Sequence, residues 1–459
     1  MNIPVAKSEP LSMNEKPFDK GFVIMVSLVA AFGGLLFGFD TAIISGAIPY
    51  IKTYFKLNEL TLGWAVGSIL IGCCAGALTA GMTADKYGRK FVLVLCAILF
   101  ALSGIGAGMS VNIIWFVFFR MIGGLGVGGA AMISPMYIAE ISPSAWRGRL
   151  VSLYQLAIVS GILLAYFSNY LLADTGIDNW RYMFMSQTFP ALVFFLMLTL
   201  VPETPRWLVK KNRINDALLI LVKTVGNTAG KNEIAIMQKS FSKDETSEVS
   251  GFSKQYFPIL TIGVLIAVFQ QITGINAVLY YAPMIFKQTG VGLVNSLLQT
   301  ICIGVVNVIA TFLAIGLVDK LGRRRLMLFG SFLMAACLLT VALCFQLNYF
   351  KNYIVLMAIL VYVGCFGCTL GAVTWVYLSE IFPNRIRAFA MSVATLGLWL
   401  ADFLVTYTFP VLANRLGTSL TVLIYAVCCI IAFFYILVKL PETKGKSLEE
   451  IEQIIIKQN

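Results

Sequence analysis

The residues best suited to chemistry form a polar island, Gln270-Gln271-Ile272-Thr273-Gly274-Ile275-Asn276, in a run that is otherwise apolar from Phe257 to Ile285. Such a run is long enough to cross a bilayer, where amides are costly unless they face protein or water. Primary amides offer many donors and acceptors and no net charge, which suits a neutral, hydroxyl-rich guest better than an ion. On an unbroken helix Gln271 and Tyr280 point opposite ways, so they share one cavity only if the helix kinks, and Thr273-Gly274 is the expected place. The competing use of these amides is as glue between helices.

Charged chemistry inside apolar sequence is rarer. Asp40 ends the stretch Gly33-Gly34-Leu35-Leu36-Phe37-Gly38-Phe39-Asp40, and Arg120 precedes the glycine-rich run Gly123-Gly124-Leu125-Gly126, which permits close helix approach. A carboxylate there is not a surface charge. Burial disfavours its ionised form and a nearby cation favours it, so changing access to water would let it load and release a proton. A static ion pair between two helices is the alternative. Asp402 is a second carboxylate in apolar surroundings, open to three uses: binding hydroxyls, titrating, or lying near the outer surface. Cys365-x-x-Cys368 has no second ligand pair, and the chain has no His, so neither a zinc site nor any other cofactor is expected.

The elements that position these residues are membrane helices. The chain has 459 residues, 59% of them hydrophobic and 12% charged. Its long apolar runs do not alternate as barrel strands do, which leaves an all-α membrane protein. Twelve spans are expected, at about 22–50, 59–83, 91–110, 112–139, 150–172, 181–201, 256–286, 292–318, 326–346, 352–379, 387–412 and 418–440. They divide the chain into a cytosolic tail (1–20), a six-helix bundle (21–201), a linker with short helices (202–254), a second six-helix bundle (255–440) and a cytosolic tail (441–459). Residues 1–20 are polar, with Pro10 and Pro17, and do not read as a signal peptide. In the linker, Pro205 is placed to open a short helix, and 214–225 is amphipathic enough to lie on a membrane surface.

The formal charge of +12 does not imply nucleic acid. Lys86, Arg89, Lys90, Arg147, Arg149, Arg206, Lys210, Lys211, Arg213, Lys320, Arg323, Arg324, Arg325, Arg385 and Arg387 fall on one side of the expected topology, against Lys52, Lys56, Arg181, Lys287, Lys351 and Arg415 on the other. The richer side is cytoplasmic by the positive-inside rule, which puts both termini there.

The chain also repeats itself. Asp319 follows Asp85 by 234 residues, Glu380 follows Glu140 by 240, and Glu442 follows Glu203 by 239. Six spans per half returns each half in one orientation, so the relating axis lies along the membrane normal and a central cavity between halves is the default site. Asp85, Arg89, Glu140, Arg147 and Glu203 gather at the inner ends of the first half. Asp319, Arg323, Glu380, Arg387 and Glu442 do so in the second. Opposite charges on different helices can act as a cytoplasmic gate; a topology signal with a solvated surface is the plainer reading.

These motifs resemble those of the sugar porters of the major facilitator superfamily, which include bacterial xylose, arabinose and galactose proton symporters and the facilitative glucose transporters. The likeness rests on Gly81-Met-Thr-Ala-Asp-Lys-Tyr-Gly-Arg-Lys90, Pro135-Met-Tyr-Ile-Ala-Glu140, Pro202-Glu-Thr-Pro-Arg206, Gln270-Gln-Ile-Thr-Gly-Ile-Asn276, Ser379-Glu-Ile-Phe-Pro383 and Pro441-Glu-Thr-Lys-Gly445. It implies a substrate site at Gln155, Gln270, Gln271, Asn276, Tyr280, Tyr281, Asn307 and Trp375, with Phe37 and Trp399 lining it and Asp402 beside them. Aromatic rings suit the apolar C–H faces of sugars, and amides suit the hydroxyls. The resemblance supports proton coupling at Asp40 with Arg120, since the proton symporters carry aspartate there and the facilitative transporters asparagine.

This chain departs from the family in four places. Gly371-Ala372 replaces a Gly-Pro pair, which puts a local helix break there in doubt. Leu398 stands where the xylose symporters have glutamine, Ile162 replaces a polar contact, and Asp402 replaces the usual asparagine. The expected function is proton-coupled import of a monosaccharide, a hexose or pentose with inositol as a further candidate, by a monomer in the cell membrane and without enzymatic activity. A uniporter, a non-transporting sugar receptor and a multidrug exporter are the alternatives.

Overall fold

The computed structural model describes residues 19–244, 256–383, 386–444 and 450. The expected N-terminal tail up to residue 18, linker residues 245–255, Gly445 and nearly all of the C-terminal tail beyond it lie outside the described residues, as does the side chain of Asp319.

In hydrocarbon every backbone group must find a partner inside the chain, so long apolar runs become helices. Among the described residues twelve helices are long and apolar enough to cross a membrane: Lys20–Tyr54, Glu59–Tyr87, Arg89–Met109, Ile113–Ile141, Arg147–Leu172, Asn179–Thr199, Phe257–Gln288, Leu293–Val318, Arg323–Gln346, Ile354–Ile381, Phe389–Arg415 and Gly417–Lys439. They are spans one to twelve below. Local capping sets several starts: Asn58 Oδ1 accepts from Thr61 N at 2.9 Å, and Asn112 Oδ1 from Trp115 N at 3.0 Å.

Four of the described spans are interrupted, among them span six, which divides at Gln187 into Asn179–Ser186 and Thr188–Thr199. Span one divides into Lys20–Ala42 and Ile44–Tyr54. Span seven divides into Phe257–Ile272 and Ile275–Gln288, with Gly274 at φ +88° where the amide-rich sequence predicts a kink. A side chain there would be strained and would also collide with the Tyr425 ring. Freed carbonyls are taken up by side chains: Tyr362 Oη donates to Thr273 O at 3.0 Å, and Asn169 Nδ2 to Ile43 O at 3.1 Å. In span ten the loss of the proline does not preserve a regular helix. A π-helical turn, Gly367–Gly371, separates Ile354–Phe366 from Ala372–Ile381. Such a turn leaves carbonyls off the regular ladder without any proline.

Glycines let helices approach backbone to backbone. In the first half, a Cβ on Gly124 or Gly128 would run into the Ile69 or Cys73 carbonyl of span two. Contacts between the halves concentrate on the face away from the chain ends. There Gly67 lies under the Phe403 ring, Trp64 meets Phe403 edge-on at 6.0 Å, and Asn414 reaches Glu59 at 3.4 Å. Deeper in, Tyr166 Oη of span five donates to Leu279 O of span seven at 2.8 Å. On the terminus-bearing face, Gly81, Gly148 and Gly316 have open space beside them.

The described residues of the linker form the helices Pro205–Lys210, Ile214–Val225 and Asn227–Asp244, the first opened by Pro205. Leu208, Val209, Ala217, Leu221 and Ile234 bury one another in a small core of their own. The apolar stripe of 214–225 is therefore used, at least in part, in protein packing.

Gly128→Val should overlap the Cys73 carbonyl and cost about 1–3 kcal/mol through overpacking. A clear fall in the thermal midpoint of the detergent-purified protein is expected, and an unchanged midpoint would show that spans two and four have room to separate.

Candidate functional site

The break in span seven brings its polar residues together. Gln270 Nε2 donates to Leu370 O at 3.0 Å and to Gly371 O at 3.2 Å, both in the π-helical turn of span ten. Gln271 Nε2 lies 3.4 Å from Gln270 Oε1, and Asn276 Nδ2 donates to Gln271 Oε1 at 2.9 Å. The same Asn276 nitrogen donates to Asp402 Oδ2 of span eleven at 2.7 Å, and Thr406 Oγ1 donates to Asp402 Oδ1 at 3.1 Å. The amides thus form one chain across spans ten, seven and eleven. Asp402 is fully buried, so it does not lie at the outer surface, and it joins this chain behind the half-buried Asn276.

The other expected contacts surround this chain unevenly. Gln155 of span five and Trp375 of span ten are half-buried. Asn307 is buried against the π-helical turn, where a Cβ on Gly367 would stand 3.1 Å from its Oδ1. Phe37 and Trp399 meet across the two halves at a centroid distance of 5.6 Å. Tyr280 is buried in the second helix of span seven. Tyr281 turns into the second half: its hydroxyl donates to Thr406 O at 3.0 Å and its ring stacks on Phe409 at 4.8 Å. Leu398 and Ile162, the apolar replacements, are both buried.

In the first half, Arg120 Nη1 donates to Asp40 Oδ1 at 2.6 Å and to Asp40 O at 2.9 Å, with both side chains fully buried. The contact is one-pronged. Asp40 Oδ2 and Arg120 Nε and Nη2 have no hydrogen-bond partner among the described residues. Gly123 leaves the space that the carboxylate occupies, since a Cβ there would press on Asp40 Oδ2 and Ser103 Oγ. The Arg120 guanidinium also lies 5.6 Å from the Phe184 ring centre. Gln187, at the join between Asn179–Ser186 and Thr188–Thr199 in span six, lies beside Asp40 and donates to Phe100 O at 3.0 Å.

On the terminus-bearing face the two halves build the same network. Arg89 Nε and Nη2 pair with both oxygens of Glu140 at 3.1 Å, and Arg323 Nη2 pairs with Glu380 at 2.7 Å. Glu203 accepts from the backbone N–H of Arg89 and Lys90 at the start of span three, as Glu442 does from Arg323 and Arg324 at the start of span nine. Gly88 and Gly322, at φ +114° and +88°, precede those helices and leave room for the two carboxylates. Burial pushes the Glu203 carboxyl above the usual range, against the backbone N–H groups of Thr204, Lys90 and Arg89 that favour its ionised form. Asp85 pairs with Arg89 at 2.9 Å and with Lys210 of the linker at 3.0 Å. Arg147, seven residues after Glu140, and Arg387, seven after Glu380, do not pair with those glutamates in this conformation. Arg147 is exposed, and Arg387 Nε donates to Phe382 O at 3.1 Å.

Sequence reasoning missed the hydroxyls. Thr204 Oγ1 donates to Glu140 Oε2 and Thr443 Oγ1 to Glu380 Oε2, each at 2.6 Å. The repeated Pro-Glu-Thr carried that signal, because both threonines follow their glutamates at matched offsets. Thr406, four residues beyond Asp402, was legible in the same way as a helical neighbour. Gln187 had no marker in the sequence.

Comparison with known proteins agrees with this architecture. The family described as Sugar (and other) transporter matches residues 26–455. The arabinose-proton symporter of Bacillus subtilis is 38% identical over 463 residues, covering 99% of this chain and 98% of that protein. The D-xylose-proton symporter of Escherichia coli K12 is 39% identical over 476 residues, covering 95% and 96%. The inward-open structure of the xylose transporter XylE from E. coli superposes with a TM-score of 0.83 at 39% identity, covering 94% of this chain and all of that one.

Thr204→Val and Thr443→Val each remove one hydroxyl donor from a part-buried carboxylate and should cost about 1 kcal/mol. Comparable falls in thermal midpoint are expected; a fall in only one variant would break the equivalence of the two networks.

Proposed function

The chain belongs to the sugar transporter family, and on that premise we propose that it imports a monosaccharide together with a proton by alternating access. It is a multi-pass membrane protein with twelve helices suited to spanning. The excess of Lys and Arg on the terminus-bearing face supports a topology with both ends in the cytoplasm, in the cell membrane. One chain supplies both halves around the site, which supports a monomer as the working unit.

The sugar site in this reading is the amide chain of span seven, extended by Gln155, Asn307 and Trp375, with Phe37 and Trp399 closing over it. Uncharged donors and acceptors beside aromatic rings match a hexose or pentose, and relatives named for arabinose and xylose support that class. The contacts between halves on the face away from the termini leave the cytoplasmic side as the route of exit in this conformation. The matched networks at the inner ends hold spans together within each half, so each half can move as a body.

The observation that carries the proton half of the proposal is the Asp40–Arg120 pair, fully buried and one-pronged. The Arg120 guanidinium beside it favours the ionised form of the Asp40 carboxyl. Separating the two, or admitting water from the other side, would favour the protonated acid. Coupling follows when the same rearrangement opens the sugar site outward.

Two measurements test the proposal. Labelled D-xylose, L-arabinose and D-glucose are offered to sealed vesicles with and without an imposed inward proton gradient. Accumulation of one of them only under the gradient is expected, whereas gradient-independent equilibration would make the protein a uniporter. Gln270→Ala and Asn276→Ala should each weaken binding of that sugar by about 1 kcal/mol or more with normal expression. Binding equal to the parent would return the amides to the role of structural glue.

A further inference from the structure

The orientation of each amide in the centre follows from its neighbours, because carbonyl oxygens accept hydrogen bonds and never donate. The π-helical turn of span ten presents the Leu370 and Gly371 carbonyls to Gln270, which must therefore turn its Nε2 toward them. Gln270 Oε1 is left facing Gln271, which must answer with its own Nε2. Gln271 Oε1 then faces Asn276, which answers with Nδ2. The second N–H of that nitrogen goes to Asp402 Oδ2 at 2.7 Å. Asn276 has no N–H left. Its one free polar atom is Oδ1, on a half-buried side chain, while Asp402 behind it is fully buried and held by Thr406.

We propose that Asp402 is a positioning residue which, with the Leu370 and Gly371 carbonyls, fixes the polarity of this amide chain so that Asn276 meets the sugar as a hydrogen-bond acceptor. The proposal rests on reading the amide cluster as the sugar site. The carbonyls anchor one end of the chain and the Asp402 carboxylate, an acceptor only when ionised, the other, and both anchors then call for N–H groups. A sugar hydroxyl at Asn276 must then donate. Fluorine in its place keeps the size and an acceptor but has no proton to give, so Asn276 discriminates between the two. An acceptor at position 402 is what this requires, and an asparagine can also supply one through its amide oxygen.

The test uses the purified full-length protein, titrated with D-xylose, L-arabinose and D-glucose, then with the monodeoxyfluoro analogues of whichever sugars bind. At one hydroxyl position the fluorine analogue should bind about tenfold more weakly than the parent sugar. In Asn276→Ala that position should lose its discrimination while the other positions keep theirs. Asp402→Ala frees an N–H of Asn276 to turn toward the sugar and should reduce the fluorine penalty at the same position. Asp402→Asn should restore the parent's pattern. If the Asn276-dependent position tolerates fluorine in the parent, Asn276 donates and the assigned polarity is wrong. If Asp402→Ala leaves the penalty intact, Asp402 does not position Asn276. Should Asp402→Ala fail to fold, the parent and Asn276→Ala decide the polarity between them. Failure of all three sugars to bind the parent overturns the sugar-site reading itself, and the inference with it.

Discussion

Asp40 and Arg120 place two opposite charges where neither touches solvent. Removing such charges from water is expensive, and their attraction offsets that cost only when the geometry is good and the remaining polar atoms find partners. Here the geometry is good on one prong alone: Nη1 of Arg120 serves both Asp40 Oδ1 and its carbonyl, while Oδ2, Nε and Nη2 have no partner among the described residues. A pair built only for rigidity would be better satisfied by a two-pronged fit. The arrangement instead suits a carboxylate that gives up its cation once per cycle. The surrounding structure supports it: Gly123 makes room for the carboxylate, and Phe184 lies against the guanidinium.

The amide chain proposed as the sugar site depends on a different constraint, the need of every backbone group in hydrocarbon for a partner. Spans seven and ten satisfy it by breaking. Gly274 ends one helix and starts another, and Tyr362 takes up the carbonyl that the break releases. The π-helical turn of span ten releases carbonyls that Gln270 takes up. A backbone defect in one helix is thus answered by a polar side chain from its neighbour, and the answering side chains line the centre. In the proposed mechanism coupling follows from architecture: the Asp40–Arg120 pair sits in the first half, the amide chain in the second, and Phe37 meets Trp399 between them.

Much of this was legible in the sequence because hydropathy dominates in a bilayer. Span boundaries read from apolar runs differ from the observed ones by at most four residues. The inner networks were legible as repeated Glu and Arg, and in this conformation Arg147 is exposed while Arg387 Nε donates to Phe382 O. The kink at Gly274 followed from the demand that Gln271 and Tyr280 share a cavity. The break in span ten did not follow, because it is carried by the glycines Gly367 and Gly371 rather than by a proline. Asp402 stood out as a buried charge, but its bond to Asn276 joins residues 126 positions apart, and no pattern along the chain announces such a contact.

Proton coupling through Asp40 is the central claim, and Asp40→Asn addresses it most directly. The purified variant is reconstituted into vesicles, and two quantities are read for the sugar that the parent transports: exchange of labelled for unlabelled sugar, and accumulation under an imposed proton gradient. The account predicts that exchange persists and accumulation disappears. A variant that exchanges sugar and still concentrates it under the gradient would contradict the assignment of Asp40 as the coupling carboxylate.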